Sequence, residues 1–242
     1  MRRDVLRSET ANHCKVIYDQ VCAMGRLPQP AEEDLHDCMK AIHQILTLRR
    51  REYYFFGGIS CKLLAGVQRR TSDVDIVIEN CSMALPNPRD WLATEPFFWS
   101  VQQEQYVFVA IRDNCVDGSH PDILCQGRCF VEIDVNIAGW GSFPLFHKIK
   151  NALVPLTNFG AMSLPRGELL KLKMAGWGEK SRREGPKRAN DVVDIVHLRT
   201  RMFLEGETMD TEHTNATTRE GIKEWIREFR DMADWEAIRY YQ

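Results

Sequence analysis

Apolar positions recur at two different periods along the chain, and the switches between them mark its elements. Residues 8–24 carry Val16, Ile17, Val21 and Met24 at helical spacing, and the Leu-Pro-Gln-Pro run at 27–30 breaks the pattern. A stronger stripe of Leu35, Cys38, Met39, Ile42, Ile45 and Leu46 predicts a second helix over 31–51. Its acids Glu32, Glu33 and Asp34 lie at the end where the macrodipole favours them. Both helices are expected to cover a sheet that begins at Tyr53. Residues 54–79 then read as an aromatic strand, a Gly57-Gly58 turn, a short helix over 60–67 and a strand over 73–78. Residues 97–101, 106–111 and 129–137 are further strand candidates, separated by polar loops over 82–96 and 112–128. From Pro165 the period turns helical to the end of the chain. Helices are predicted over 166 to about 180, 189–202 and 219–241, the last one single or broken into a pair. The pattern describes an α+β protein: a sheet-bearing domain with N-terminal helices over 1–160, and a C-terminal helical domain over 161–242.

Composition narrows the classes. With 242 residues, 44% hydrophobic and 27% charged, the chain can bury a substantial core. A net charge of −2 supplies no global field for nucleic acid, so a polyanion would need a local patch. The basic stretch 180–188 and the pair Arg69 and Arg70 are the candidates, although a solvated connector explains the first more simply. Eight cysteines could form four disulfides, but the polar start MRRDVLRSET has no secretory apolar run, which favours free thiols in a reducing compartment. Cys125, Cys129 and His120 lack the second ligand pair that a zinc finger needs. No apolar run approaches the roughly 20 residues of a membrane span, so the expected location is cytoplasmic and away from membranes.

The candidate chemistry gathers on the strand 73–78. Asp73 and Asp75 share one face of it, while Val74, Ile76 and Ile78 share the other. Carboxylates this close repel, and a hard cation with oxygen ligands relieves the repulsion. Gly57 and Gly58 carry no Cβ, so backbone N–H groups and the following helix start can approach a phosphate. On the later strand Glu132, Asp134 and Asn136 alternate with Val131, Ile133, Val135 and Ile137.

The order apolar-Gly-Gly, gap, Asp-apolar-Asp-apolar (Phe56, Gly57, Gly58, Asp73, Val74, Asp75, Ile76) resembles the signature of the nucleotidyltransferase fold shared with DNA polymerase beta. The stretches GGIS and RRTSDVDI are most similar to its small AbiEii-type and minimal nucleotidyltransferase branch. Lys173 and the run Arg188-Ala-Asn-Asp191-Val-Val-Asp194 resemble that branch's later lysine helix and its basic-x-x-Asp-x-x-Asp helix, so the likeness covers roughly 52–200. Two features depart from the pattern: fourteen residues lie between Gly58 and Asp73, and about fifty between Ile78 and the third acidic strand.

The resemblance implies a mixed sheet flanked by helices and transfer of a nucleoside monophosphate from a triphosphate such as ATP. It makes Asp73, Asp75 and Asp134 ligands of two magnesium ions, with Asp134 nearest the acceptor hydroxyl. Gly57, Gly58, Ser60 and Arg70 would meet the triphosphate. Either Lys173 or Lys171 would join them, since two positions on a helix point about 200° apart. Asp191 would orient that lysine or the acceptor; an ion pair with Lys187 or Arg188 explains it equally well. The acceptor is expected to be a small molecule or a protein. A tRNA acceptor is the alternative that the AbiEii-like branch implies, and a non-catalytic binding module is a third. The long loops inside the sheet are where acceptor specificity is expected.

Overall fold

The computed structural model describes residues 2–25, 27–79, 92, 96–102, 105–111, 127–179, 186–209, 214–230 and 235, with side chains from 10 onward and, in the later helices, from 187. The loops expected over 82–96 and 112–128 lie largely outside the described residues. So do Cys125 and His120, most of the basic stretch 180–188, and the end of the last predicted helix.

Among the described residues there are seven helices: α1 (Arg2–Ala23), α2 (Glu32–Leu48), α3 (Gly57–Ala65), α4 (Phe146–Ile149), α5 (Arg166–Gly178), α6 (Pro186–Glu205) and α7 (Ala216–Phe229). The seven strands are β1 (Tyr53–Phe56), β2 (Asp73–Ile78), β3 (Phe97–Ser100), β4 (Gln105–Ile111), β5 (Arg128–Ile137), β6 (Val154–Pro155) and β7 (Met162–Ser163). They form a mixed sheet whose order runs β3-β4-β5-β2 and β1-β7-β6. The α+β class and the helical C-terminal region expected from the sequence are both present. The chain gathers into two compact units, 1–53 with 71–136 and 54–70 with 137–242. This division cuts across the one expected at 160/161, because α3, early in the chain, packs on α5 and α6.

In the first unit, β3 and β4 pair antiparallel from Phe97–Phe108 to Ser100–Gln105, and β4 and β5 from Ile111–Arg128 to Tyr106–Ile133. α1 packs on β3 and buries Cys14, Ile17, Tyr18 and Val21 against Phe98, Val107, Val109 and Phe130. The Tyr18 ring meets Phe98 and Phe130 edge-on, at centroid distances of 5.7 and 5.5 Å, a favoured aromatic geometry. α2 lies on β2 and β4. At its start Asp34 Oδ2 accepts the Ala31 backbone N–H at 2.7 Å, satisfying one donor that the helix end would otherwise leave open.

In the second unit the Gly-Gly pair, expected to form a turn, is already the first turn of α3. Gly57 holds φ at +68°, which lets the chain leave β1 and enter the helix directly. Gly66, at φ +71°, ends α3 in the left-handed conformation that suits glycine, so Val67 falls outside it. β1 pairs parallel with β7 (Phe55 with Ser163), and β7 antiparallel with β6. α5, α6 and α7 bury Trp177 and Trp225, which meet edge-on at 4.9 Å; the more exposed Phe229 lies against both, and the Arg188 guanidinium sits 3.7 Å above the Trp177 ring. α7 is capped by the Asn215 side chain, which accepts the Thr218 backbone N–H at 2.8 Å. It stops at Phe229, where Arg230 turns left-handed.

Cys14, Cys22, Cys38, Cys61 and Cys129 are free thiols. Among the described residues no helix is long and apolar enough to cross a membrane.

Candidate functional site

β2 and β5 bring Asp73, Asp75 and Asp134 together. One oxygen from each carboxylate lies within 4.8 Å of the others, on partly exposed residues. Alternation is the cause: Val74, Ile76 and Ile78 are buried on one side of β2, and the two aspartates turn to the other. Thr71 is buried, and its hydroxyl donates to Asp73 Oδ1 at 2.8 Å. That residue was not among those expected, yet its position two residues before Asp73 in extended chain carries the signal. Three carboxylates from two strands form a hard, all-oxygen donor set with up to three negative charges, which suits a divalent cation such as magnesium.

The second unit holds the other expected residues. Gly57 and Gly58 open α3, and Ser60 is fully buried in it with a hydroxyl that has no hydrogen-bond partner. An orphaned buried hydroxyl costs stability in an ordinary helix. Arg70 is exposed, and its backbone carbonyl accepts a bond from Arg69 Nη1 at 3.0 Å.

Lys173 and Lys171 take different sides of α5, as their 200° offset requires. Lys173 Nζ sits 3.0 Å from Asp191 Oδ1 and 2.8 Å from Asp194 Oδ2. Burial alone would lower its pKa, but Cys61, Asp191 and Asp194 outweigh that, and the ammonium is held above the ordinary lysine range. Lys171 instead pairs with Glu168 at 2.7 Å and lines a separate cavity of about 670 Å³ with Phe143, Leu145, Lys148 and Asn215. Asp191 thus contacts Lys173, while Arg188 pairs with Glu228 and lies over Trp177. Arg69, expected with Arg70 as a candidate patch for a polyanion, is engaged within the protein. Its Nε and Nη2 both donate to Asp194, at 2.7 Å each, so the second acid of the Asp-x-x-Asp pair serves two cations.

No protein-family model matches the chain, and no curated protein matches it. Among solved structures the chain is similar to the crystal structure of an antigenic nucleotidyltransferase-like protein from Paracoccidioides brasiliensis. The TM-score is 0.62 at 15% identity, over 87% of this chain and 95% of that one. At this identity the likeness shows the fold, which is nucleotidyltransferase-like.

Proposed function

We propose that the protein is a magnesium-dependent nucleotidyltransferase that moves a nucleoside monophosphate from a nucleoside triphosphate to a hydroxyl of a small molecule or protein. The observation that carries the reading is the convergence of Asp73, Asp75 and Asp134, set in a fold of nucleotidyltransferase type. These three residues would hold the cations, two in number. Magnesium held there would supply charge neutralisation on the phosphates and favour the ionised form of the attacking hydroxyl.

The chain's own residues have the remaining work. Asp134 takes the proton of the acceptor hydroxyl as its oxygen bonds to the α-phosphorus and the bond to pyrophosphate breaks. The backbone N–H groups at Gly57 and Gly58 and the Ser60 hydroxyl would serve the phosphates. Arg70 would add positive charge, and Lys173 would approach the triphosphate as a point charge from its place between Asp191 and Asp194. Asp191 keeps Lys173 in place.

A second reading has tRNA as the acceptor. It is favoured by the assembly of Lys173, Asp191 and Asp194, the pieces that resemble the AbiEii-like branch. Salt separates the two: binding that neutralises several phosphates weakens steeply as salt rises.

Labelled triphosphates, magnesium and candidate acceptors should release pyrophosphate, with ATP tried first. The paired change Asp73→Ala with Asp75→Ala should abolish both turnover and magnesium binding. Metal-dependent turnover that survives in that variant would defeat the reading.

A further inference from the structure

The face of the first unit that carries the triad carries a fourth carboxylate. Glu132 stands two residues before Asp134 on β5, so both side chains lie on one face. α1 covers the same face, since Tyr18 packs against Phe130, two residues before Glu132. The Tyr18 hydroxyl donates to Glu132 Oε1 at 2.5 Å and lies 3.4 Å from Gln105 Oε1. Tyr106 pairs with Ile133, so the preceding Gln105 falls beside Asp134 on that face. Tyr18 is 0% exposed, which leaves its hydroxyl no route to water, and Glu132 lies outside the group of three whose oxygens meet.

We propose that Tyr18 is a specificity-determining residue of the metal centre: by holding Glu132 against α1, it keeps a fourth carboxylate out of the triad. The inference rests on the reading of the triad as a magnesium site. Its physical basis is ligand number. Magnesium demands an octahedral shell at about 2.0–2.1 Å and keeps several waters, whereas calcium takes about 6–8 oxygens at about 2.3–2.6 Å and gains more from each added carboxylate. Three carboxylates leave positions for water and phosphate oxygens. A fourth would fill one of them and favour the larger ion. Holding Glu132 by a hydrogen bond, rather than replacing it, leaves its charge near the site while denying it a place in the shell.

Calorimetric titration of the full chain with magnesium and with calcium tests this. Tyr18→Phe keeps the ring that packs on Phe98 and Phe130 and removes the hydroxyl, with its bonds to Glu132 and Cys22. It should raise calcium affinity relative to magnesium, because the larger ion accommodates the added oxygens, by about tenfold or about 1.4 kcal/mol. Glu132→Gln alone should leave the calcium-to-magnesium ratio within about twofold, because the lost charge weakens both cations alike and Glu132 holds no place in the shell of either. Combined with Tyr18→Phe it should restore the native ratio. A folded Tyr18→Phe protein with an unchanged ratio would overturn the proposal and leave the hydroxyl as an anchor for α1. If that variant does not fold, Glu132→Gln decides: a change of about tenfold or more in the calcium-to-magnesium ratio would make Glu132 a ligand already and overturn the proposal. A native protein that binds neither cation would instead remove the metal centre itself.

Discussion

The Arg69 guanidinium closes on the Asp194 carboxylate in a fork, Nε to Oδ1 and Nη2 to Oδ2, each at 2.7 Å. Asp194 is fully buried and also takes Lys173 at 2.8 Å, while Asp191 holds the same lysine at 3.0 Å. Two cations and two anions thus neutralise one another inside the second unit, joining the segment after α3 to α5 and α6. Arrangements of this kind are strong because the planar guanidinium fits a carboxylate bidentately, and costly to break because the survivors stay buried.

Removing Asp194 should therefore cost more than removing Asp191. Asp194→Ala takes from Arg69 its bidentate partner and leaves Lys173 with Asp191 alone, and should destabilise the protein by about 3–5 kcal/mol in urea unfolding. Asp191→Ala leaves Lys173 its second carboxylate and should cost clearly less. Equal losses would show that Asp194 is not the centre of the network.

Thr71→Val removes one hydrogen bond, the one to Asp73 Oδ1, and little volume. Loss of such a supporting bond typically lowers metal affinity about 10–100-fold. Titration with magnesium should show that drop without a matching fall in melting temperature.

Stability should decline in alkali. Burial raises Tyr18, Tyr53 and Tyr54 above the ordinary tyrosine range, helped by Glu132 at Tyr18 and by Glu168 at Tyr54, and the acids around Lys173 raise it as well. A raised folded pKa means that stability is fully present below the unfolded value, about 10 for these groups, and is lost as pH climbs from there toward the folded value. Unfolding free energies followed from pH 9 to 11 should fall above about pH 10, by up to about 1.4 kcal/mol per pH unit for each group. Lys173→Met should make the slope shallower by about one group's share. An unchanged slope would remove Lys173 from the account.

α5 and α7 approach so closely that Gly221 cannot carry a side chain. A Cβ there would lie 1.8 Å from the Met174 carbonyl oxygen and 3.2 Å from the Gly178 nitrogen. Both are backbone atoms, so the helices themselves would have to separate. Gly221→Ala should cost about 3 kcal/mol or more, at or beyond the usual range for overpacking, and should expose Trp177 and Trp225 to fluorescence quenchers. The same change at Gly206 meets open space and tests only its positive φ.

Local chemistry was legible because short-range periodicity is a property of the backbone. Alternation alone put Asp73 and Asp75 on one face and Asp134 on the face of another strand, and the 3.6-residue stripe placed α2 and α5 to within a few residues. Tertiary structure decided whatever depended on partners far along the chain. Lys171 and Lys173 are equivalent as letters, and they separate only because α3 and α6 present Cys61, Asp191 and Asp194 to one side of α5. β6 and β7 are two residues each, too short for any period, and exist because β1 offers an edge to pair with. Arg69 finds Asp194 across 125 residues and Tyr18 finds Glu132 across 114, separations over which close packing, and not propensity, selects the neighbour.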